Sequence, residues 1–132
     1  MPHIQVEYSA NLEQRVDMSA FCEALRATAE NIEAFPAPGV RVRALRAEHY
    51  AIADGNPEHA FIDISVRLRA GRPQEVKENA TQALFGAAKE FLAPVFAAGS
   101  LALSLEMRDI DPALSPKTGT IRDHMGAKSG NA

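Results

Sequence analysis

The feature that most constrains this chain is an order of signals that occurs twice. In the first half, His3–Tyr8 alternates, with Ile4, Val6 and Tyr8 on one side and His3, Gln5 and Glu7 on the other. Such alternation is the period of a half-buried strand. Asp17 has the chemistry of a helix N-cap, and Met18, Phe21, Cys22, Leu25, Ala29 and Ile32 follow at helical spacing. The stretch Phe35-Pro36-Ala37-Pro38-Gly39 stops that helix, because the residue before a proline is driven out of helical geometry. Val40–Leu45 then alternates again, Val40, Val42 and Ala44 opposite Arg41, Arg43 and Leu45.

After a turn-rich gap at Asp54-Gly55-Asn56-Pro57 the order repeats. Ile62, Ile64, Val66 and Leu68 alternate with Asp63, Ser65, Arg67 and Arg69. Ala70-Gly71-Arg72 is a short turn, and Pro73 suits the first position of a helix whose apolar stripe is Val76, Ala80, Ala83, Leu84, Ala87 and Phe91. Pro94 ends or kinks it, and Leu101, Leu103, Leu105 and Met107 alternate with Ala102, Ser104, Glu106 and Arg108. Two β-α-β units in succession predict an α/β (α+β) domain: each unit joins parallel strands through a right-handed crossover, and one four-stranded sheet carries both helices on one face. Residues 1–114 form this single domain, 115–125 an arm able to reach a neighbouring subunit, and 126–132 a disordered tail.

The second face of that sheet is polar, carrying His3, Gln5, Glu7, Arg41, Arg43, Asp63, Ser65, Arg67, Ser104, Glu106 and Arg108. It is either simply solvated or the surface on which copies of the chain pack around a shared polar interior. Sheets with parallel strands are seldom bare on one side, which favours association. The whole chain has a net charge of −3 and a pI near 5.8, so there is no general electrostatic attraction to nucleic acid or to an anionic membrane. No apolar run is long enough to cross a bilayer, and the start lacks a basic stretch followed by an apolar one. The one cysteine, Cys22, excludes an internal disulfide or a CxxC motif and reads as a buried, inert thiol. A reducing cytoplasm is the expected compartment.

Candidate chemistry is sparse. Phosphate-binding glycine loops, nucleophile elbows and HExxH are missing, and His3, His49, His59 and His124 have no metal-ligand spacing. Three residues remain. Pro2 has no amide hydrogen and suits the first residue of a strand, but with Met1 removed it would instead be a secondary amine able to act as a base. Arg41, after Pro38-Gly39-Val40, and Arg72, in Ala70-Gly71-Arg72-Pro73, sit at loop–strand and strand–helix junctions. Ligands of open α/β sheets gather at such places, and an arginine there can grip a carboxylate by two parallel hydrogen bonds. Each is alternatively an ordinary surface arginine.

Taken together, MPHIQVEYSANL, FPAPGVRVRA, ADGNPEHAFIDISVRLRAGR and LALSLEMRDIDPAL resemble the tautomerase superfamily, and within it the 5-carboxymethyl-2-hydroxymuconate Δ-isomerase branch. These stretches reach from Met1 to about Leu114. The resemblance implies a homotrimer with sites near subunit boundaries, loss of Met1, Pro2 as the catalytic base, and Arg41 and Arg72 as catalytic and substrate-binding residues. It also implies a small substrate with two or three carboxylates and no metal or organic cofactor. The implied reaction turns the dienol 5-carboxymethyl-2-hydroxymuconate into its unsaturated 2-oxo isomer, in the breakdown of homoprotocatechuate and 4-hydroxyphenylacetate. Two alternatives stand beside it. One is another activity of the superfamily, such as a phenylpyruvate-type tautomerase or a dehalogenase of a small unsaturated acid. The other is a non-catalytic module that binds an acidic metabolite through Arg41 and Arg72.

Overall fold

The alternation at the start of the chain becomes β1 (His3–Ser9), which lies inside the sheet with a partner on each side. The structure is a computed structural model and describes residues 2–126. Strand β1 pairs in parallel with β2 (Arg41–Ala47) and antiparallel with β3 (Ala60–Arg69), and β3 pairs in parallel with β4 (Leu101–Ile110). The order across the sheet is β2-β1-β3-β4. Each β-α-β unit therefore holds a parallel pair, as its connection through a helix requires, and the two units meet back to back at an antiparallel seam.

Helix α1 (Met18–Glu30) starts where the Asp17 carboxylate accepts a hydrogen bond from the Ala20 amide at 3.0 Å. Helix α2 (Gln74–Phe91) starts after Pro73, with Glu75 in its first turn and Lys89 in its last, both favoured by the helix dipole. The chain pauses at Leu92 and turns helical again as α3 (Ala93–Ala98). Pro94 accounts for the pause, because it has no amide hydrogen to donate to the carbonyl four residues back.

Both long helices cover the face that carries Ile4, Val6, Ile62, Ile64, Val66 and Leu68, all at most 1% exposed. Phe21 of α1 and Phe91 of α2 meet above it with ring centroids 5.2 Å apart. Burying each such aliphatic side chain contributes roughly 1.5–3 kcal/mol, which makes this layer the main source of stability. The edge strands are covered less well: Val42 and Ala44 of β2, and Leu103 and Leu105 of β4, are only half-buried.

Several boundaries differ from the sequence reading. Strand β1 runs on through Ser9 into a 3-10 turn, Ala10–Leu12, that buries Leu12 completely. The alternation ends at Tyr8 because Ser9 is held by its hydroxyl, which accepts a hydrogen bond from the Phe61 amide at 3.0 Å. Strands β2, β3 and β4 are longer than the alternation alone marks, and Ala37–Gly39 forms a 3-10 turn. Cys22 is half-buried on the wall of a groove between α1 and β2, not enclosed in the core. Burial still pushes its thiol up from the ordinary value, which keeps it protonated and unreactive near neutral pH. The expectations for Met1 and for the tail beyond Gly126 lie outside the described residues.

The layering separates two kinds of substitution. Asp17→Ala, which removes one exposed cap, should cost about 1 kcal/mol, and Ile64→Ala, which empties part of the core, roughly 2–5 kcal/mol. Urea unfolding of both variants checks this, and a smaller loss for Ile64→Ala would contradict the layering.

Candidate active site

The four strands place their outward side chains in rows across the polar face. The row at one end is Arg41, His3, Arg67 and Arg108, in the order of the strands. The next is Arg43, Gln5, Ser65 and Glu106, and the third is Leu45, Glu7, Asp63 and Ser104. The face is therefore polarised, basic where β1 begins and acidic where it ends. Short bonds tie β4 to β3 on this face: Ser104 Oγ donates to Asp63 at 2.6 Å, and Arg108 Nη2 donates to Ser65 Oγ at 2.9 Å.

Pro2 stands at the basic end. Its ring is fully buried, on the helix side of the sheet in phase with Ile4. Its carbonyl accepts a hydrogen bond from the Arg41 amide at 3.2 Å, which opens the ladder between β1 and β2. Pro2 and Arg41 are thus held together by backbone geometry. The Arg41 guanidinium donates through Nη1 to the Gly39 carbonyl at 3.3 Å, so its side chain folds back over the turn that precedes β2.

Arg72 comes to the same end from the other unit, since β3 runs antiparallel to β1 and finishes where β1 starts. Gly71 has φ +114°, a backbone conformation that L side chains rarely adopt, and this lets the chain reverse directly after β3. Arg72 Nε then donates to the Ala34 carbonyl and Nη1 to the Arg69 carbonyl, both at 3.0 Å. The segment it grips, Ala34-Phe35-Pro36, leads into the turn before Arg41. Pro2, Arg41 and Arg72 are thus gathered at one end of the sheet, although Arg72 lines neither of the two described cavities that Arg41 lines.

Two residue groups absent from the candidate set join this end. His3 lies among arginines, with Arg43 Nη1 at 3.5 Å from its Nδ1. Burial first, then the charges of Arg67, Arg43 and Arg41, hold its imidazole below the ordinary 6.5. The second group is the arm. Ala70 donates its amide to the Ile110 carbonyl at 3.0 Å, so the arm leaves β4 beside the Arg69–Arg72 turn. It then passes the start of β1 and walls two cavities. One, of about 320 Å³, is lined by His3, Arg67, Arg69 and Lys117 among others. The other, of about 300 Å³, is lined by Pro36, Gly39, Arg41, Lys117, Thr118 and Arg122 among others. Neither has an aspartate or glutamate among the described residues of its lining. The signal for the arm was its own composition, since Lys117 and Arg122 follow the punctuating Pro112 and Pro116. For His3 the signal was its register beside Arg41, which appears only once the strands are paired.

A proline at a strand start, with two arginines and a basic row at the same end of a duplicated β-α-β sheet, agrees with the resemblance noted above. Residues 2–125 match the family model described as 5-carboxymethyl-2-hydroxymuconate isomerase. The chain belongs to that family. It is 29% identical over 121 residues to the 5-carboxymethyl-2-hydroxymuconate Delta-isomerase of Escherichia coli, spanning 92% of this chain and 96% of the relative. A crystal structure of a 5-carboxymethyl-2-hydroxymuconate delta-isomerase superposes with a TM-score of 0.88 at 29% identity, covering 94% of this chain and 92% of the other. That of a 5-carboxymethyl-2-hydroxymuconate isomerase from Deinococcus radiodurans R1 gives 0.86 at 32% identity, covering 93% and 92%. The fold alone is shared with a fused 4-OT symmetric trimer, at a TM-score of 0.65, 19% identity and coverage of 98% and 99%. The duplicated tautomerase-like α+β fold is therefore established, and the family match extends through the arm to residue 125.

Within the isomerase-family chain, the lowered His3 has a consequence for stability. The folded state binds the His3 proton less tightly than the unfolded chain does, so the contribution is complete above 6.5 and is lost as the pH falls below it. Between about pH 7.5 and about pH 5.5, the melting temperature of His3→Gln should therefore fall less steeply than that of the unaltered protein. Parallel slopes in differential scanning fluorimetry would remove His3 from the cationic cluster.

Proposed function

We propose that this chain is an isomerase that converts 5-carboxymethyl-2-hydroxymuconate from its dienol to the unsaturated 2-oxo form, with Pro2 as the base. The observation that carries the reading is the pairing of Pro2 with Arg41 at the basic end of the polar face. Removal of Met1 would turn the Pro2 nitrogen from an amide into a secondary amine. A free α-amino group titrates at roughly 8. Burial and neighbouring cations both disfavour its protonated form and lower that value. His3, one residue on, registers this same environment through burial and the charges of Arg67, Arg43 and Arg41. An amine brought toward neutral pH takes the 2-hydroxyl proton and returns a proton to a distant carbon of the conjugated chain.

The arginines supply what the amine does not. In this reading one guanidinium grips the 2-oxo-acid end and stabilises the charge that develops on oxygen, while the other clamps a remote carboxylate and orients the diene. No metal or organic cofactor enters these steps. The chain works as a homotrimer, a reading supported by the half-buried apolar residues on both edge strands, by the open polar face and by the trimeric fold relative.

Intact-mass analysis of the native protein should show Met1 absent. Pro2→Ala should lower kcat by ~10²-fold or more while the oligomer persists in light scattering. Arg41→Ala and Arg72→Ala should each lower kcat/KM by ~10²-fold, read from the ultraviolet absorbance of the substrate. Retained Met1, or unchanged kinetics in Pro2→Ala, would defeat the amine as base. Equal turnover of a 2-hydroxymuconate lacking the carboxymethyl group would reassign the substrate.

A further inference from the structure

The substrate of the proposed isomerase carries three carboxylates, and Arg41 and Arg72 account for only two of them. We propose that the arm completes the site, with Lys117 and Arg122 supplying the positive charge that holds the third carboxylate. This rests on the isomerase reading for the identity of the ligand. Its physical basis is the cavity of about 300 Å³ that the arm builds with the Pro36–Arg41 segment. Among the described residues, Arg41, Lys117 and Arg122 line that cavity and no aspartate or glutamate does. Neither Lys117 nor Arg122 makes an ion pair among the described residues. Lys117 and Arg122, brought together in a concave site, repel one another, and an anionic ligand relieves that repulsion. The volume is at the lower end of the range for small-molecule pockets, as suits a short organic acid.

The way the arm is held points the same way. Ile121 of the arm is 51% exposed at the wall of this cavity, and only Met125 of the arm is half-buried. The arm crosses the basic end, where Lys117 lines both this cavity and the neighbouring one that contains His3, Arg67 and Arg69. A third carboxylate in contact with Lys117 and Arg122, on a ligand whose other end Arg41 holds, would tie the arm to the sheet through charge-assisted hydrogen bonds. The arm then acts as a specificity element, rewarding the ligand that has one more carboxylate.

The test compares the unaltered protein with Lys117→Ala, Arg122→Ala, the double variant and Lys117→Arg. The ratio of kcat/KM for the tricarboxylate over that for the 2-hydroxymuconate lacking the carboxymethyl group should fall about tenfold or more in each alanine variant, the scale of one charge-assisted hydrogen bond. The loss should sit in KM, and Lys117→Arg should keep most of the discrimination. Calorimetric titration with propane-1,2,3-tricarboxylate and with glutarate, neither of which can tautomerise, reads the same preference without turnover. The tricarboxylate should bind more tightly to the unaltered protein, and the double variant should lose that preference. If the unaltered protein turns over the muconate but both preferences survive in the double variant, the arm proposal fails and the isomerase stands. If it turns over neither muconate but the tricarboxylate preference is present and depends on Lys117 and Arg122, the isomerase reading fails and the arm remains an anion-binding element.

Discussion

The hydrogen bond from the Arg41 amide to the Pro2 carbonyl is the point on which fold and site both depend. Proline can accept in a strand ladder but cannot donate, so it belongs at the first rung, where only its acceptor is needed. That rung fixes the register of β1 against β2. The register in turn sets His3 beside Arg41 and His3 beside Arg67, and so assembles the basic row. A shift of one residue would turn Ile4 and Val6 outward and send His3 into the core. The apolar layer beneath the helices therefore enforces the position of the cations above it.

Acids near the basic end are few and engaged, Glu106 by Arg108 and Asp109 by Lys77. Glu7 and Asp63 occupy the far row, and Asp63 already accepts from Ser104. Glu23 and Glu30 are held by Arg26 on α1, and Glu13 and Glu48 by Arg46. Exposed pairs of this kind contribute little to stability, on the order of 0–1 kcal/mol each. Their effect is rather to keep carboxylates occupied away from Pro2. A small chain with a net charge of −3 can in this way maintain a strongly basic pocket.

Much of this was legible in the sequence because the period of a strand and the stripe of a helix are local signals. Ile4, Val6, Ile62, Ile64 and Leu84 read as core and are core. The Asp17 cap and the Pro94 break act where their chemistry places them. The antiparallel seam was not legible, since the pairing of β1 with β3 is a choice between units that neither unit encodes alone. Nor was Leu12, whose burial depends on a turn held by Ser9 and Phe61 across the sheet. At the candidate site, Pro2, Arg41 and Arg72 were marked by their junction positions. His3, Lys117 and Arg122 were not, because their places at this end arise from register and from the path of the arm.

The duplication makes the remaining asymmetry informative. The second unit repeats the frame at the opposite end of the sheet. There Ala60 faces the core in phase with Ile62 as Pro2 does with Ile4, so Ala60 holds the place of Pro2 and His59 precedes it. His59 is fully engaged there: its Nδ1 lies 2.7 Å from Ser100 Oγ, its Nε2 2.8 Å from Asp54 Oδ1, and its carbonyl accepts from Asn11 Nδ2 at 2.7 Å. Polar groups that satisfy one another gain little from a ligand and lose those bonds by admitting one. At the Pro2 end the sheet instead gathers a row of basic side chains, Arg41, His3, Arg67 and Arg108. Two copies of one frame have thus diverged into an end closed by its own hydrogen bonds and an end lined by cations.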